Sequence, residues 1–185
     1  MNNKITNLKE KFRVALTSTA KVISEDLNLK NNKLKNSNIF EIDDIKNPND
    51  FIRIRAETDS EALKKKFSDN LIHKKNLPSN SSSRLLYNIA EKIRCESLGG
   101  QMLKGIKKNF DKNYNLMISL KKKDQLKTKE DVPIAEAFEL YMLKNFHQIK
   151  LNPLTSKMLG FWENTFKKSI EKHKKFLQEN LEDQN

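Results

Sequence analysis

Apolar residues recur at spacings of three and four along most of the chain, the period that places them on one face of an α-helix. The pattern predicts helices over about residues 4–24, from Thr58 to just before Pro78, from Arg84 through Asn113 towards residue 120, from Asp131 to Phe146, and from Asn152 to about residue 180. No strand–helix alternation and no internal repeat interrupts this pattern. We therefore predict an all-α protein, with residues 1–185 forming a single helical domain of about six helices.

Residues 25–50 depart from the pattern, because Asn, Lys and Asp dominate and few apolar residues remain. We expect an irregular loop there, with a short extended segment near Ile39–Ile42. Pro48 should keep Asn47 out of the helical region. After the alternating segment 51–55, Thr58 and Glu61 fit a capping box, which predicts that a helix starts there.

The longest proline-free helical stretch, Arg84–Asn113, contains the adjacent glycines Gly99 and Gly100. The apolar stripe before the glycines and the one after them lie on different sides of an ideal helix. Two explanations remain open: the helix is buried on both faces, or it breaks or shifts phase at the glycines. Each glycine costs roughly 1 kcal/mol inside a helix, so the pair also suggests close approach by a neighbouring backbone or a kink.

Arg94 and Glu96 stand beside the apolar stripe of this stretch, where charged side chains are rarely left unpaired. An ion pair between helices is the interpretation that we favour. A polar contact with a partner protein and a role in acid–base catalysis are the alternatives. The catalytic alternative lacks a second titratable group placed nearby by the sequence.

The net charge of +12 and the distribution of lysine raise the question of an anionic partner. Residues 98–128 contain eight Lys and two Asp, a local net charge of +6. The segment has no arginine and few aromatic residues between its lysines, which weakens it as a nucleic-acid site. A basic helical nucleic-acid-binding protein is therefore the alternative function, and solvated helix faces are the simpler interpretation.

Motifs for catalysis and metal binding are absent from the sequence. It has no phosphate-binding glycine loop and no HExxH, and the lone Cys95 excludes a disulfide framework and a cysteine-rich zinc site. His73, near a helix C-terminus, and Trp162, a large apolar side chain, are interpreted as structural residues. We expect no catalytic, cofactor-binding or metal-binding residue in this chain, no membrane span, and a cytoplasmic protein.

The segment NIAEKIRCESLGGQMLKGIKKNF (88–110) resembles a helix of the CobT subunit of aerobic, ATP-dependent cobaltochelatase. The positions that carry the resemblance are Glu91, Arg94, Glu96, Gly99, Met102, Gly105 and Ile106. LKEKFRVALTSTAKVIS, RAETDSEALKKKFSDNLIHKKNLP and VPIAEAFELYMLKNF are similar to further segments of that family, in the same order. The likeness covers nearly the whole chain, but only the N-terminal region of a CobT subunit.

The resemblance implies a non-catalytic subunit of the enzyme that inserts cobalt into hydrogenobyrinic acid a,c-diamide in cobalamin biosynthesis. It also implies a CobS-like AAA+ ATPase and a CobN-like large, corrin-binding subunit as partners, and a complex that uses ATP, Mg and cobalt. The family's C-terminal von Willebrand factor A domain, with its adhesion-type metal site, has no counterpart in residues 1–185. We expect residues 179–185 to be the frayed start of an acidic linker.

Overall fold

The computed structural model of the protein describes residues 2–25, 45–122 and 126–184, with side chains from residue 7 onwards. Seven α-helices follow one another in this part of the chain: α1 (Asn2–Ser24), α2 (Pro48–Phe67), α3 (Asn70–Asn76), α4 (Ser81–Met102), α5 (Lys104–Leu120), α6 (Ile134–Met142) and α7 (Pro153–Glu179). A 3-10 turn (Lys129–Asp131) precedes α6, and a π-helical turn (Leu143–His147), called the π turn below, follows it.

The all-α prediction is confirmed, since the described residues contain no strand. The helices pack as two compact units, residues 1–67 and residues 68–185. Within the described ranges, no helix is long and apolar enough to cross a bilayer.

The first unit consists of α1 packed against α2. The rings of Phe12 and Phe51 meet edge to face at 4.9 Å, and the Lys66 ammonium pairs with the Glu25 carboxylate. Residue numbers rise together along both helices at these contacts, so α1 and α2 run in the same direction. Their buried apolar residues are Leu16, Ala20, Ile23, Ile54, Ala56, Ala62 and Leu63.

The start of α2 corrects two predictions. The Asn47 side chain accepts from the backbone N–H of Asn49 at 2.8 Å, and Asp50 accepts from the N–H of Asn47 at 2.9 Å, so the helix begins at Pro48. The expected helix start at Thr58 is wrong, because its hydroxyl donates to the Ile54 carbonyl at 2.7 Å inside the helix. Residues 48–50, which we expected in the irregular loop, are therefore the first turn of α2. Most of that loop, with the extended segment expected near Ile39–Ile42, lies outside the described residues.

The second unit is built around α4, which contacts α5, α6 and the π turn, while α6 packs on α7. Its most buried apolar side chains include Ile93, Phe110, Tyr114, Ala137, Leu140, Tyr141, Met158 and Leu159. The predicted helix ending before Pro78 is divided, because Asp69 caps α3 by accepting from the N–H of Leu71 at 2.6 Å. The hydrophobic core of this unit therefore surrounds the stretch that carries the family resemblance.

The long stretch from Arg84 breaks after the glycines rather than at them. Helix α4 continues through Gly99 and Gly100, and Leu103 then leaves the helical region with φ −134° and ψ 109°. A Cβ placed on Gly100 would lie 3.5 Å from the Cβ of Lys107 on α5. The predicted phase change is therefore a turn between two helices, and Gly100 lies where they approach each other.

Of the two remaining predicted helix caps, the one at Asn152 is confirmed and the one at Asp131 is wrong. Asn152 accepts from the N–H of Thr155 at 2.8 Å ahead of Pro153, as predicted. Asp131 does not cap α6. Its carboxylate accepts from the N–H groups of Lys127 and Thr128, at 2.9 and 2.8 Å, and so closes the preceding 3-10 turn.

Candidate functional site

A half-open cavity of about 310 Å³ lies in the second unit between α4, α5, the π turn and α7. Its polar wall includes Glu96 and Ser97 from α4, Lys107 from α5, His147 and Gln148 from the π turn, and Gln178 from α7. Three of these side chains, Glu96, Ser97 and His147, are more than nine-tenths buried. Burial of so many polar groups around one cavity costs free energy unless each group finds a partner.

Glu96 is 1% exposed and is the most buried acidic side chain among the described residues of the second unit. The Tyr114 hydroxyl donates to its Oε2 at 2.5 Å, and Lys92 Nζ lies 4.0 Å from its Oε1. Burial and the Glu96 carboxylate raise the pKa of Tyr114 well above its usual value. The tyrosine is therefore a proton donor that fixes the orientation of the carboxylate.

His147 stands opposite Glu96, with its Nε2 3.5 Å from Glu96 Oε2. The rings of Phe110 and Tyr114 enclose the imidazole at centroid distances of 5.9 and 5.5 Å. Burial lowers the pKa of His147 to about 4, so the ring is neutral near pH 7. Its buried Nε2 has no hydrogen-bond partner in the part of the chain that the structure describes.

The π turn explains how His147 reaches this position. The chain leaves it through Gln148, whose φ of 58° is left-handed, and the N–H groups of Gln148 and Ile149 both donate to the Leu143 carbonyl. Left-handed backbone at a residue other than glycine stores free energy, and π turns often occur at functional sites. Ser97 adds a second buried atom, Oγ, that lacks a hydrogen-bond partner within the described ranges.

The carboxylate that pairs with Arg94 lies on the same helix. Arg94 Nε and Nη2 donate to the two carboxylate oxygens of Glu91, one turn earlier on α4, at 2.8 and 2.9 Å. Arg94 Nη1 also donates to the Leu181 carbonyl at 2.8 Å, and Gln184 Nε2 donates to Glu91 at 3.0 Å. For Arg94, the predicted interhelical ion pair is thus an intrahelical pair, and it holds residues 181–184 that we expected to fray.

The other residues singled out from the sequence lie in separate places. His73, half-buried, shares a hydrogen bond of 3.1 Å with Asn88 Oδ1. Trp162 Nε1 donates to the Val132 carbonyl at 2.9 Å, and Lys129 Nζ lies 3.9 Å from the centre of its indole ring.

The resemblance positions divide between the interior and the surface. Glu91, Glu96 and Gly99 are buried in α4, whereas Met102 and Gly105 are exposed at the α4–α5 junction. We call residues 101–105 the elbow, because all five are exposed where the chain turns between the two helices. Met102 and Leu103 are 46% and 45% exposed there, and a Cβ on Gly105 would meet nothing within 4 Å.

The lysine-rich segment presents part of its charge to solvent. Lys104, Lys108 and Lys112 are exposed at four-residue spacing on α5, which places them along one face. Lys107 pairs with Asp111 at 3.1 Å, and Lys121 pairs with Glu136.

Sequence reasoning missed His147 and Tyr114. No histidine motif marks His147, because its role depends on the π turn and on a carboxylate from a distant helix. Tyr114 is an apolar position in the helical pattern, and only the fold shows that its hydroxyl meets Glu96. In the described residues no group of three or more His, Cys, Asp or Glu side chains is arranged to hold a metal ion.

Comparison with known proteins identifies a family for the chain. The family model described as "Cobalamin biosynthesis protein CobT" matches residues 6–185. No curated protein matches the chain, and no solved structure does.

Proposed function

The chain belongs to the CobT family of cobalamin biosynthesis proteins, and from this we propose that it is a non-catalytic subunit domain of cobaltochelatase. The family match over residues 6–185 is the observation that carries the proposal. In this role the domain binds a CobS-like AAA+ ATPase and transmits its movement to a CobN-like subunit. That subunit holds the corrin, hydrogenobyrinic acid a,c-diamide, into which cobalt is inserted.

The division of the resemblance positions supports a docking role. The buried positions around Glu91 and Glu96 stabilise packing, whereas the elbow presents Met102 and Leu103 to solvent. Exposed apolar side chains beside charged ones are a common feature of protein–protein contacts. We assign the elbow as the contact with the ATPase, because it combines family positions with exposed apolar area.

The first experiment measures association of the full chain with the purified ATPase partner, with and without ATP. We expect a complex that is tighter in one nucleotide state, since a subunit can transmit motion only if its affinity differs between states. Absence of association in every nucleotide state would refute the proposed role.

A pair of variants locates the contact. Leu103→Asp places a charge at the elbow and should weaken association at least tenfold. Leu71→Asp on α3 is the matched control, because Leu71 is 78% exposed and lies outside the elbow. Circular dichroism checks that both variants fold. Equal affinities for the two variants would place the contact elsewhere.

The lysine face of α5 supports nucleic-acid binding as a second candidate. Lys104, Lys108 and Lys112 are exposed and form no ion pair with another described residue. Binding to duplex DNA should then weaken with salt, with a slope reduced by about three when all three lysines are replaced by Gln. A salt dependence that these substitutions leave unchanged would exclude this candidate.

A further inference from the structure

We propose that residues 180–184 form a latch that closes over α4 and opens without unfolding of the second unit. The segment follows α7 and turns back on itself, with the N–H of Asp183 donating to the Asn180 carbonyl at 3.1 Å. Leu181 lines both the cavity of about 310 Å³ and a second cavity of about 200 Å³ beside Arg94. The latch therefore forms part of the wall of two cavities. This proposal is independent of the cobaltochelatase assignment.

The side-chain amide of Gln184 holds the latch closed. Its Oε1 accepts from the N–H of Asp69 at 2.7 Å, and its Nε2 donates to the Asp69 carbonyl and to the Ser68 hydroxyl, both at 3.2 Å. Nε2 also donates to Glu91 Oε1 at 3.0 Å. The two amide hydrogens therefore have three acceptors within reach, and the amide oxygen has a donor. This arrangement fits a primary carboxamide, because a carboxylate in the same place would lack both hydrogens and would lie beside the Glu91 carboxylate.

The latch buries little surface, which makes its opening easier than unfolding of the unit. No residue of the segment is fully buried, since Leu181 and Gln184 are half-buried and the other three are exposed. Ile93, in the middle of α4, is 0% exposed. Segments with few buried apolar contacts open locally at a free energy well below that of global unfolding. The latch should therefore open while α4 and the core around it stay folded.

Opening of the latch would change the space beside α4. Leu181 and Phe146 line both cavities, so these two side chains separate one cavity from the other. Movement of Leu181 away from α4 would join the cavities and uncover the ion pair of Glu91 and Arg94. Ligand pockets occupy about 300–1,000 Å³, and the smaller cavity, about 200 Å³, is below that range when the latch is closed. The latch thus controls how large a molecule the space beside α4 admits.

Hydrogen exchange at the Asp69 N–H, followed by NMR on the full chain, reports the opening, because this group donates to Gln184 Oε1. The N–H of Ile93 in the core is the reference. We expect protection at Asp69 to be lower by at least about 100-fold and independent of low urea concentrations, since a local opening exposes little surface. Equal protection at the two sites, with the same urea dependence, would show that the segment opens only by global unfolding and would overturn the latch.

Two variants test the carboxamide. Gln184→Ala removes its hydrogen bonds, and Gln184→Glu replaces its N–H donors with an oxygen that faces Glu91, so both should accelerate exchange at Asp69 by at least about tenfold. Glu182→Gln is the matched control, because Glu182 is exposed on the same segment, and it should leave the exchange rate unchanged. Unchanged exchange in Gln184→Ala, or equal acceleration in Glu182→Gln, would refute the role of Gln184.

The dye anilinonaphthalene sulfonate tests control of the cavities, because it fluoresces on exposed apolar surface. Gln184→Ala should increase dye fluorescence severalfold and keep the near-UV circular dichroism of the wild-type chain, whereas Glu182→Gln should change neither. Accelerated exchange at Asp69 without a gain in dye fluorescence would overturn control of the cavities by the latch. Loss of the near-UV signal in Gln184→Ala would show that the segment is part of the cooperative core, and would overturn local opening.

Discussion

Glu91 and Arg94 form a two-hydrogen-bond fork on one face of α4, with distances of 2.8 and 2.9 Å. Their side chains are 6% and 12% exposed, so the pair is largely withdrawn from water. Each side chain also holds the C-terminal segment, Arg94 through the Leu181 carbonyl and Glu91 through Gln184. One ion pair thus links the central helix to residues far along the chain.

Arg94→Ala should be strongly destabilising, because it leaves the buried Glu91 carboxylate without its main partner. Loss of one member of a buried pair costs about 3–5 kcal/mol of unfolding free energy, measured by urea denaturation. Hydrogen exchange at residues 181–184 should also accelerate. The control is Arg53→Ala, which breaks an exposed pair with Glu57 and should cost less than about 1 kcal/mol. Equal costs for the two variants would contradict the importance of the fork.

Acid should weaken the same contact. Burial raises the pKa of Glu91, but hydrogen bonds from Arg94 and Ser68 outweigh burial and hold the net pKa below its usual value of 4.5. The ionised carboxylate therefore contributes stability that is complete above pH 4.5 and is lost as the pH falls through the lowered pKa. Urea denaturation from pH 6 downwards should show this loss in the wild-type chain. Glu91→Gln should lack that part of the slope, and identical slopes would contradict the assignment.

Buried and exposed positions of the family resemblance should respond in opposite ways. Gly99→Leu adds a large side chain at a buried position and should destabilise by about 1–3 kcal/mol or prevent folding. Gly105→Ala lies in open space inside α5 and should stabilise by about 0.5–1 kcal/mol. Thermal melting of both variants gives the comparison. A fully stable Gly99→Leu variant would refute the role of Gly99 in packing.

Glu96→Ala should cost about 1–3 kcal/mol, because it leaves the buried Tyr114 hydroxyl without its acceptor. The double variant with Tyr114→Phe should recover part of this loss, since both polar partners are then absent. A double-mutant cycle in urea measures the coupling. Strictly additive costs would show that the short hydrogen bond contributes nothing.

Gln148 tests the backbone of the π turn. At φ 58°, Gln148→Gly should be neutral or stabilising, and Gln148→Val should be destabilised by about 1–2 kcal/mol more, because a β-branched residue resists the left-handed region. Thermal melting of the two variants makes the comparison. Similar melting temperatures would argue against a left-handed residue at this position.

Local signals in the sequence predicted the parts of the fold that local chemistry determines. Asn152 and Pro153 predict a helix start from their own capping chemistry, whatever the surrounding fold. The helical period likewise predicted which helix faces are buried in the core. Thr58 was misassigned because its capping pattern competes with the pattern at Asn47 and Asp50, which lies earlier in the chain. No capping residue or proline marks the break at Leu103 in the sequence, because the packing of α5 back onto α4 determines where the helix ends.

The candidate site was harder to predict for the same reason. Glu96 stood out because a charge beside an apolar stripe is visible in the sequence. Its partners Tyr114 and His147 come from other elements, and only the folded chain brings their atoms together. The pairing of Arg94 with Glu91 on its own helix, rather than with a residue of another helix, depends on side-chain direction within one helix turn, which the spacing alone leaves open.

The shared direction of α1 and α2 sets a lower limit on the length of the connection between them. Ile45 lines the same groove as Leu8, near the opposite end of α1 from Glu25. The distance along α1 from Glu25 back to the level of Leu8 is about 25 Å at 1.5 Å per helical residue. A fully extended chain needs about eight residues to span that distance. A connection cut below that length could not join two helices that run in the same direction, so shortening it would abolish the topology of the first unit.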